Sequence, residues 1–179
     1  DVVAGFERWD AAIFCYGKNF NHPVEDADLS NVELSVKAIS KYDPGIIIGG
    51  PPCQDFSVAG NRVEGARADL TISFAKIVKE IVPEYFVMEN VERAAESEAY
   101  KNARIIFKEA GYGLTEKVLD ASFCGVPQKR RRFFCIGCKD ASDGFLEGLL
   151  STNQSIFPLT VKEYFQQEKC ELPVEYYYR

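Results

Sequence analysis

The sequence contains the stretch Ile46-Ile47-Ile48-Gly49-Gly50-Pro51-Pro52-Cys53-Gln54, in which an apolar run is followed by two glycines, two prolines and a cysteine. The apolar run predicts a buried strand over 45–49, and the prolines restrict the backbone of the loop that follows it. Open α/β sheets hold their ligands at the carboxyl ends of strands, which is where this loop places Cys53. The placement alone fits a structural turn as well as it fits a nucleophile.

Strand-like and helix-like segments alternate along the rest of the chain. Apolar residues recur with the period of a helix or a buried strand, and Ser30 and Asp69 stand where helix caps are expected. The predicted strands are 2–6, 45–49, 85–88, 113–119 and 132–136, and the predicted helices are 9–20, 31–39, 69–81 and 100–110. This alternation predicts an α/β fold with a doubly wound, mostly parallel sheet, in which the last two strands form an antiparallel pair.

Length, composition and charge narrow the class of protein. The 179 residues suffice for one sizeable core, and 46% apolar with 13% aromatic content indicates a globular protein. No apolar stretch approaches the ~20 residues that cross a bilayer, so no membrane contact is predicted. The net charge of −6 argues against a general nucleic-acid coat protein, although Lys129-Arg130-Arg131-Arg132 forms a dense basic run.

The six cysteines are scattered without the spacing of a disulfide framework, which indicates reduced thiols in a cytosolic protein. Cys135 and Cys138 form a CxxC pair at the end of an apolar strand. A zinc site needs about four ligands, and the only histidine, His22, has no metal-like spacing to this pair. The pair is therefore interpreted as core cysteines on a strand, and no metal site is predicted.

Acidic residues also stand at the ends of predicted strands. Glu7 and Glu89 should lie on the same edge of the sheet as Cys53, and Asp28 follows a weaker fourth segment. Glu89 follows four apolar residues, and partial desolvation there would favour a neutral, proton-donating carboxyl. A helix-capping or solvated glutamate is the alternative, but a thiol on the same edge favours a functional role.

Three blocks of the sequence together resemble the signature motifs of the C5-cytosine-specific DNA methyltransferases of bacterial restriction–modification systems. They are Gly50-Pro51-Pro52-Cys53-Gln54-Asp55-Phe56-Ser57, Met88-Glu89-Asn90-Val91 and Gln128-Lys129-Arg130-Arg131-Arg132. The resemblance runs from about residue 2 to about residue 140. It implies a Rossmann-like, S-adenosylmethionine-dependent methyltransferase fold that is incomplete at both ends. Residues 1–150 would form the catalytic domain without its first strand and Gly-rich turn, and residues 151–179 would begin the link to an absent target-recognition region.

The resemblance also implies a mechanism, in which a methyl group is transferred to carbon-5 of a cytosine. Cys53 would add to carbon-6 of the ring as a thiolate and hold the base covalently during transfer. Glu89 would act as an acid at ring N3, and Arg132 would contact the cytosine carbonyl. Gln128 and Arg130 would order the loops around the site. A stacked base cannot reach such a pocket, so the cytosine must be flipped out of the duplex.

The methyl donor that the resemblance implies is S-adenosylmethionine. The implied donor contacts are Glu7, Trp9, Asp28, Pro51 and Leu70. Glu7 would bind the ribose hydroxyls, Asp28 would accept from the adenine amino group, and Leu70 would pack on the adenine. The family usually has an aromatic residue directly after the ribose-binding acid, but here Arg8 intervenes before Trp9. Either Trp9 or the stem of Arg8 is left to cover the adenine.

Double-stranded DNA is the implied partner, with a second chain or a missing segment carrying the target-recognition region. The residues expected at the DNA are Gln54, Ser57, Arg62, Arg67, Asn90 and Gln128. The loop from Ser57 to Arg67 would close over the phosphates as a clamp. Two alternatives stay open, the same chemistry on tRNA and a catalytically silent partner that binds nucleic acid or a sister subunit. A prokaryotic cytoplasmic location is expected, or a nuclear one in a eukaryote.

Overall fold

The computed structural model describes residues 1–52 and 69–167. The strands are β1 (Gly5–Glu7), β2 (Val24–Asp26), β3 (Ile46–Gly49), β4 (Tyr85–Val91), β5 (Tyr112–Asp120) and β6 (Arg131–Lys139). The helices are α1 (Asp10–Asn19), α2 (Val32–Ile39), α3 (Asp69–Ile81), α4 (Glu98–Glu109), α5 (Glu147–Thr152) and α6 (Val161–Gln167). Three short 3₁₀ turns lie at Ser40–Tyr42, Glu92–Glu96 and Ala121–Phe123. The order of the elements confirms the predicted α/β class.

Two sheets carry the strands. β3, β4, β6 and β5 lie in that order in one sheet, and β1 and β2 form the other. β1 pairs with β2 and β3 pairs with β4 in parallel, whereas β6 runs antiparallel to both of its neighbours. The β5–β6 pairing confirms the antiparallel pair predicted from the short connection. Each parallel pair brings two carboxyl ends to one edge, the position at which Rossmann-like folds bind their ligands.

The core lies between the larger sheet and helices α3 and α4. Alternate residues of β4 point into it, and Phe86 and Met88 are fully buried. The Phe86 ring stacks on Phe107 of α4 with 4.1 Å between centroids and meets Phe74 of α3 edge-on at 6.2 Å. Burial of each such side chain contributes roughly 1.5–3 kcal/mol, so β4 is firmly anchored to the core.

Gly137 of β6 has no room for a side chain. A methyl group at this position would overlap the Phe86 ring, which the core holds in place. We expect Gly137→Ala to lower the free energy of unfolding by roughly 1–3 kcal/mol, the usual cost of overpacking a core. Chemical denaturation followed by circular dichroism measures this change.

Gly148→Ala is the matched control for that measurement. Nothing lies within 4 Å of a Cβ at Gly148, which is in helix α5. Alanine favours a helix, so this variant should be as stable as the wild type or slightly more stable. Equal stability of the two variants would contradict the packing of Gly137 against the core.

The start of α2 differs from the sequence prediction. Asn31 caps this helix, since its side chain accepts a hydrogen bond from the Leu34 N–H at 3.1 Å. The Ser30 hydroxyl, the predicted cap, donates instead to the Asp28 carboxylate at 2.6 Å. The two neighbouring residues are both good caps, and the local acid decides between them.

The end of β4 also differs from the prediction. The strand continues to Val91 rather than ending near Met88, because its pairing with β6 extends three residues beyond its pairing with β3. Glu89 and Asn90 therefore lie within a strand that has passed the end of its parallel neighbour. Their side chains are positioned by sheet geometry, not by a loop.

Candidate active site

Glu89 of β4 and Arg132 of β6 form an ion pair. Val91 stands opposite Arg132 in the antiparallel register, so Glu89 and Arg132 are diagonal neighbours on one face of the sheet. Arg132 Nε lies 3.1 Å from Glu89 Oε1. Their side chains are 25% and 37% exposed, respectively, so both border solvent and neither is buried in the core. The structure thus pairs an acidic and a cationic side chain that the sequence analysis named as separate site residues.

The segment Gly50–Pro51 passes directly beside this pair. A Cβ on Gly50 would lie 3.4 Å from Glu89 Oε2, which places this backbone in van der Waals range of the carboxylate. Asn90 Nδ2 donates to the Pro51 carbonyl at 3.1 Å. The first residues after β3 are therefore fixed against the strand that carries Glu89.

Asn90, which the sequence analysis expected at the DNA, is buried. Its side chain is 5% exposed, and its Oδ1 accepts from the Val91 N–H at 2.8 Å. Both ends of this amide are engaged within the protein, and its contact with DNA stays a prediction. Asn90 supports the Pro51 segment from inside the protein.

Five predicted site residues lie outside the described residues. They are Cys53, Gln54, Ser57, Arg62 and Arg67. Their roles stay predictions from the sequence. The described residue nearest to Cys53 in the chain is Pro52, which is exposed.

A second group of predicted residues meets at the ends of β1 and β2. Glu7 stands opposite Asp26 in the parallel register, and Asp28 follows two residues later. Glu7 Oε1 accepts from the backbone N–H groups of Arg8 and Trp9 at 2.8 and 3.0 Å, which fixes the carboxylate at the start of α1. The Trp9 indole beside it is 68% exposed. One edge thus carries two carboxylates and an open aromatic surface.

Arg8 bonds to Asp28, a contact that the sequence analysis missed. Arg8 Nη1 lies 3.0 Å from Asp28 Oδ2, and Asp28 Oδ1 accepts from the Ser30 hydroxyl and N–H. These hydrogen bonds, the one from the Ser30 side chain first, hold the pKa of Asp28 below its usual value. Both residues considered for covering an adenine are exposed, Trp9 at 68% and Arg8 at 69%, and the Arg8 guanidinium is paired with Asp28.

The remaining predicted residues lie nearby or at the surface. Leu70 is half-buried in the first turn of α3, and Gln128 and Arg130 are exposed on the loop before β6. Arg131 is exposed and pairs with Glu92 at 2.8 Å. Two arginines in succession are therefore each held by a glutamate of the Glu-Asn-Val-Glu segment.

Comparison with known proteins decides the family. The family described as C-5 cytosine-specific DNA methylase matches residues 1–172. The chain belongs to the C-5 cytosine-specific DNA methylases. It is 48% identical over 180 residues to the Type II methyltransferase M.HindV of Haemophilus influenzae and 46% identical to the Type II methyltransferase M.HgiDI of Herpetosiphon aurantiacus. Both alignments cover 100% of this chain, which spans 58% and 57% of the length of these relatives.

Solved structures agree with the Rossmann-like fold of this DNA methylase chain. A putative DNA modification methyltransferase encoded within an E. coli prophage gives a TM-score of 0.71 at 29% identity, over 97% of this chain and 49% of that one. The S. pombe Dnmt2 methyltransferase gives a TM-score of 0.66 over 98% of this chain and 48% of that one. Its identity of 20% makes this a likeness of fold alone.

The described thiols of the DNA methylase differ in their surroundings. Cys135 is buried in the core, and desolvation raises the pKa of its thiol to about 12. Cys138 follows three residues later on the same strand, so the two side chains point to opposite faces of the sheet. Cys135 is therefore a core cysteine as predicted, whereas Cys138 is only half-buried and lies outside the core. No helix in the described part of the chain is long and apolar enough to span a membrane.

Proposed function

We propose that this member of the family transfers a methyl group from S-adenosylmethionine to carbon-5 of a cytosine in duplex DNA. Family membership supports the reaction class. The observation that carries the proposal is the Glu89–Arg132 ion pair beside the Gly50–Pro51 segment, which leads directly to Cys53. An acid, a cation and a thiol are the groups that this reaction requires.

The paired side chains suit one edge of a flipped cytosine. Glu89 would donate to ring N3 and accept from the exocyclic amine, while Arg132 would donate to the neighbouring carbonyl. The amine, ring N3 and the carbonyl lie side by side along one edge of cytosine. Arg132 Nε and Glu89 Oε1 lie 3.1 Å apart on one face of the sheet, so a single base can bind both side chains. Charge that builds on the ring during addition would be neutralised by groups already in position.

Cys53 would supply the nucleophile. Its thiolate would add to carbon-6, which makes carbon-5 electron-rich enough to take a methyl group from a sulfonium. Loss of the carbon-5 proton would then expel the thiolate and restore the aromatic ring. The described anchor for this step is the Asn90–Pro51 hydrogen bond, which fixes the backbone two residues before Cys53.

The edge formed by β1 and β2 fits the methyl donor. Glu7 is held by two backbone N–H groups through one oxygen, so its other oxygen is oriented for ribose hydroxyls. The exposed Trp9 ring offers a stacking surface for adenine. Asp28 would accept from the adenine amino group in competition with Arg8. S-adenosylmethionine supplies an activated methyl group when it is bound there.

Methyl incorporation tests the function directly. The full-length protein is incubated with radiolabelled S-adenosylmethionine and either unmethylated genomic DNA or total tRNA, and the product nucleosides are separated. We expect label in 5-methylcytosine from DNA and background label in tRNA. Label in tRNA alone would favour the RNA alternative. No label in either, with nucleic-acid binding retained, would favour the catalytically silent partner.

A further inference from the structure

Asp120 closes the loop that carries Gln128 and Arg130. This residue ends β5, and its Oδ1 accepts from the Ser122 N–H at 3.0 Å, the Ser122 hydroxyl at 2.8 Å and the Arg130 N–H at 3.3 Å. The Ala121 N–H donates to the Arg130 carbonyl at 3.0 Å, which joins the two ends of the same loop. One carboxylate oxygen thus ties Ser122, near the start of the 121–130 loop, to Arg130 at its end.

The other side of this loop is also fixed. The Leu159 N–H donates to the Ser122 carbonyl at 2.7 Å, and the Ser155 N–H and hydroxyl both donate to the Phe123 carbonyl at 2.9 Å. The segment between α5 and α6 therefore holds the 3₁₀ turn that contains Ser122 through hydrogen bonds. Asp120 accordingly binds to a turn that is itself anchored.

The closed loop leads straight to the ion pair of the candidate site. β6 begins at Arg131, directly after the loop, and Arg132 reaches Glu89 from the next position. Asp120 stands opposite Arg131 as the last register pair of the β5–β6 hairpin. Loss of the hydrogen bonds that join Asp120 and Ala121 to Arg130 would therefore free the backbone that positions the Arg132 side chain.

We infer that Asp120 is a positioning residue for methyl transfer, which closes the 121–130 loop and so sets where Arg132 meets Glu89 and the cytosine. This inference rests on the proposed function. Hydrogen bonds from the Ser122 N–H and hydroxyl hold the pKa of Asp120 below its usual value, so the acceptor is ionised at neutral pH. The role needs an acceptor oxygen at this point, and an asparagine also supplies one.

Three variants test the role by kinetics. Asp120→Ala removes the acceptor, Asp120→Asn keeps it, and Ser122→Ala removes one of the three donors. We expect Asp120→Ala to lower kcat for DNA methylation by about 10- to 100-fold, the usual effect of losing a group that orients a catalytic residue. Ser122→Ala should be intermediate, and Asp120→Asn should stay within about threefold of wild type. KM for S-adenosylmethionine should be unchanged, because Glu7 lies in the other sheet and Trp9 directly precedes α1, which follows that strand.

Hydrogen–deuterium exchange provides a readout that does not need activity. In Asp120→Ala the amides of Ser122 and Arg130 lose their acceptor, so peptides over 121–130 should exchange faster than in the wild type and in Asp120→Asn. Asp140→Asn is the control, since this carboxylate is 82% exposed at the opposite end of the same hairpin. Its exchange and kinetics should equal those of the wild type.

The outcomes separate this inference from the proposed function. Wild-type kinetics in Asp120→Ala, or equal damage by alanine and asparagine, would overturn the positioning role. A parallel fall in melting temperature and donor binding would also overturn it, because it would reveal a general folding role. If the wild-type protein transfers no methyl group at all, the proposed function fails. Faster exchange in Asp120→Ala would then still support closure of the loop by Asp120.

Discussion

Replacement of Cys53 by alanine is expected to abolish methyl transfer and to leave donor binding nearly intact. Carbon-5 of cytosine is a poor nucleophile until a thiolate adds to carbon-6, so loss of the thiol removes the whole covalent route. We expect the rate to fall by at least about 10⁴-fold, as is usual when a nucleophile is deleted. Isothermal titration with S-adenosylhomocysteine measures donor binding, and radiolabel transfer to DNA measures the rate.

Trapping on modified DNA adds a covalent readout to this experiment. Fluorine at carbon-5 cannot leave as a proton does, so a duplex with 5-fluorocytosine should stay bound to the wild-type protein after denaturation. Cys53→Ala should give no such adduct. Cys124→Ala is the matched control, because this thiol is exposed on the loop before β6 and should be dispensable for transfer. Retained adduct in Cys53→Ala, or equal loss of transfer and donor binding, would argue against a nucleophilic role.

Arg132→Ala is expected to lower kcat by about 10²- to 10³-fold, the range for loss of one group that stabilises charge in a transition state. Glu89→Gln should have a comparable effect, since it removes the acid and weakens the pair. The two side chains act on one base, so their effects should not add, and the double variant should be little worse than either single one. Single-turnover kinetics with saturating DNA measure all three.

The neighbouring ion pair supplies the control for this double-mutant cycle of Glu89 and Arg132. Arg131 pairs with Glu92 at 2.8 Å, and its side chain is 55% exposed. Exposed pairs contribute little to stability, so Arg131→Ala should keep its melting temperature and stay within about threefold of the wild-type kcat. Equal losses in Arg131→Ala and Arg132→Ala would indicate general attraction of DNA to positive charge. That result would remove the specific role given to Arg132.

Local sequence patterns predicted much of the fold and the identity of the candidate groups. The apolar run before Gly49 and the amphipathic stripe after Asp69 are signals within one element, and β3 and α3 form there. The predicted burial of β3 was wrong in part, because Ile46 and Ile48 are exposed. The cap of α2 was missed by one residue, because Ser30 and Asn31 are both capping types and only Asp28 distinguishes them.

Contacts between distant segments were not predicted. The Glu89–Arg132 pair depends on the register of β4 with β6, two strands about 40 residues apart in the chain. The role of Asp120 depends on a hydrogen bond across ten residues of loop, and the Arg8–Asp28 pair depends on the alignment of β1 with β2. Each partner could be recognised as polar and near a strand end. No local pattern states which of them meet.

The contrast between the described cysteines has a practical consequence for covalent inhibitors. Cys15 and Cys124 are exposed and open to alkylation, whereas the core position of Cys135 shields its sulfur from electrophiles. Inactivation by a maleimide or an acrylamide would therefore not by itself identify the sulfur responsible. Replacement of Cys15 and Cys124 by serine would remove the two exposed thiols of the described residues, and peptide mapping of the labelled protein would then assign the modified sulfur among the remaining cysteines.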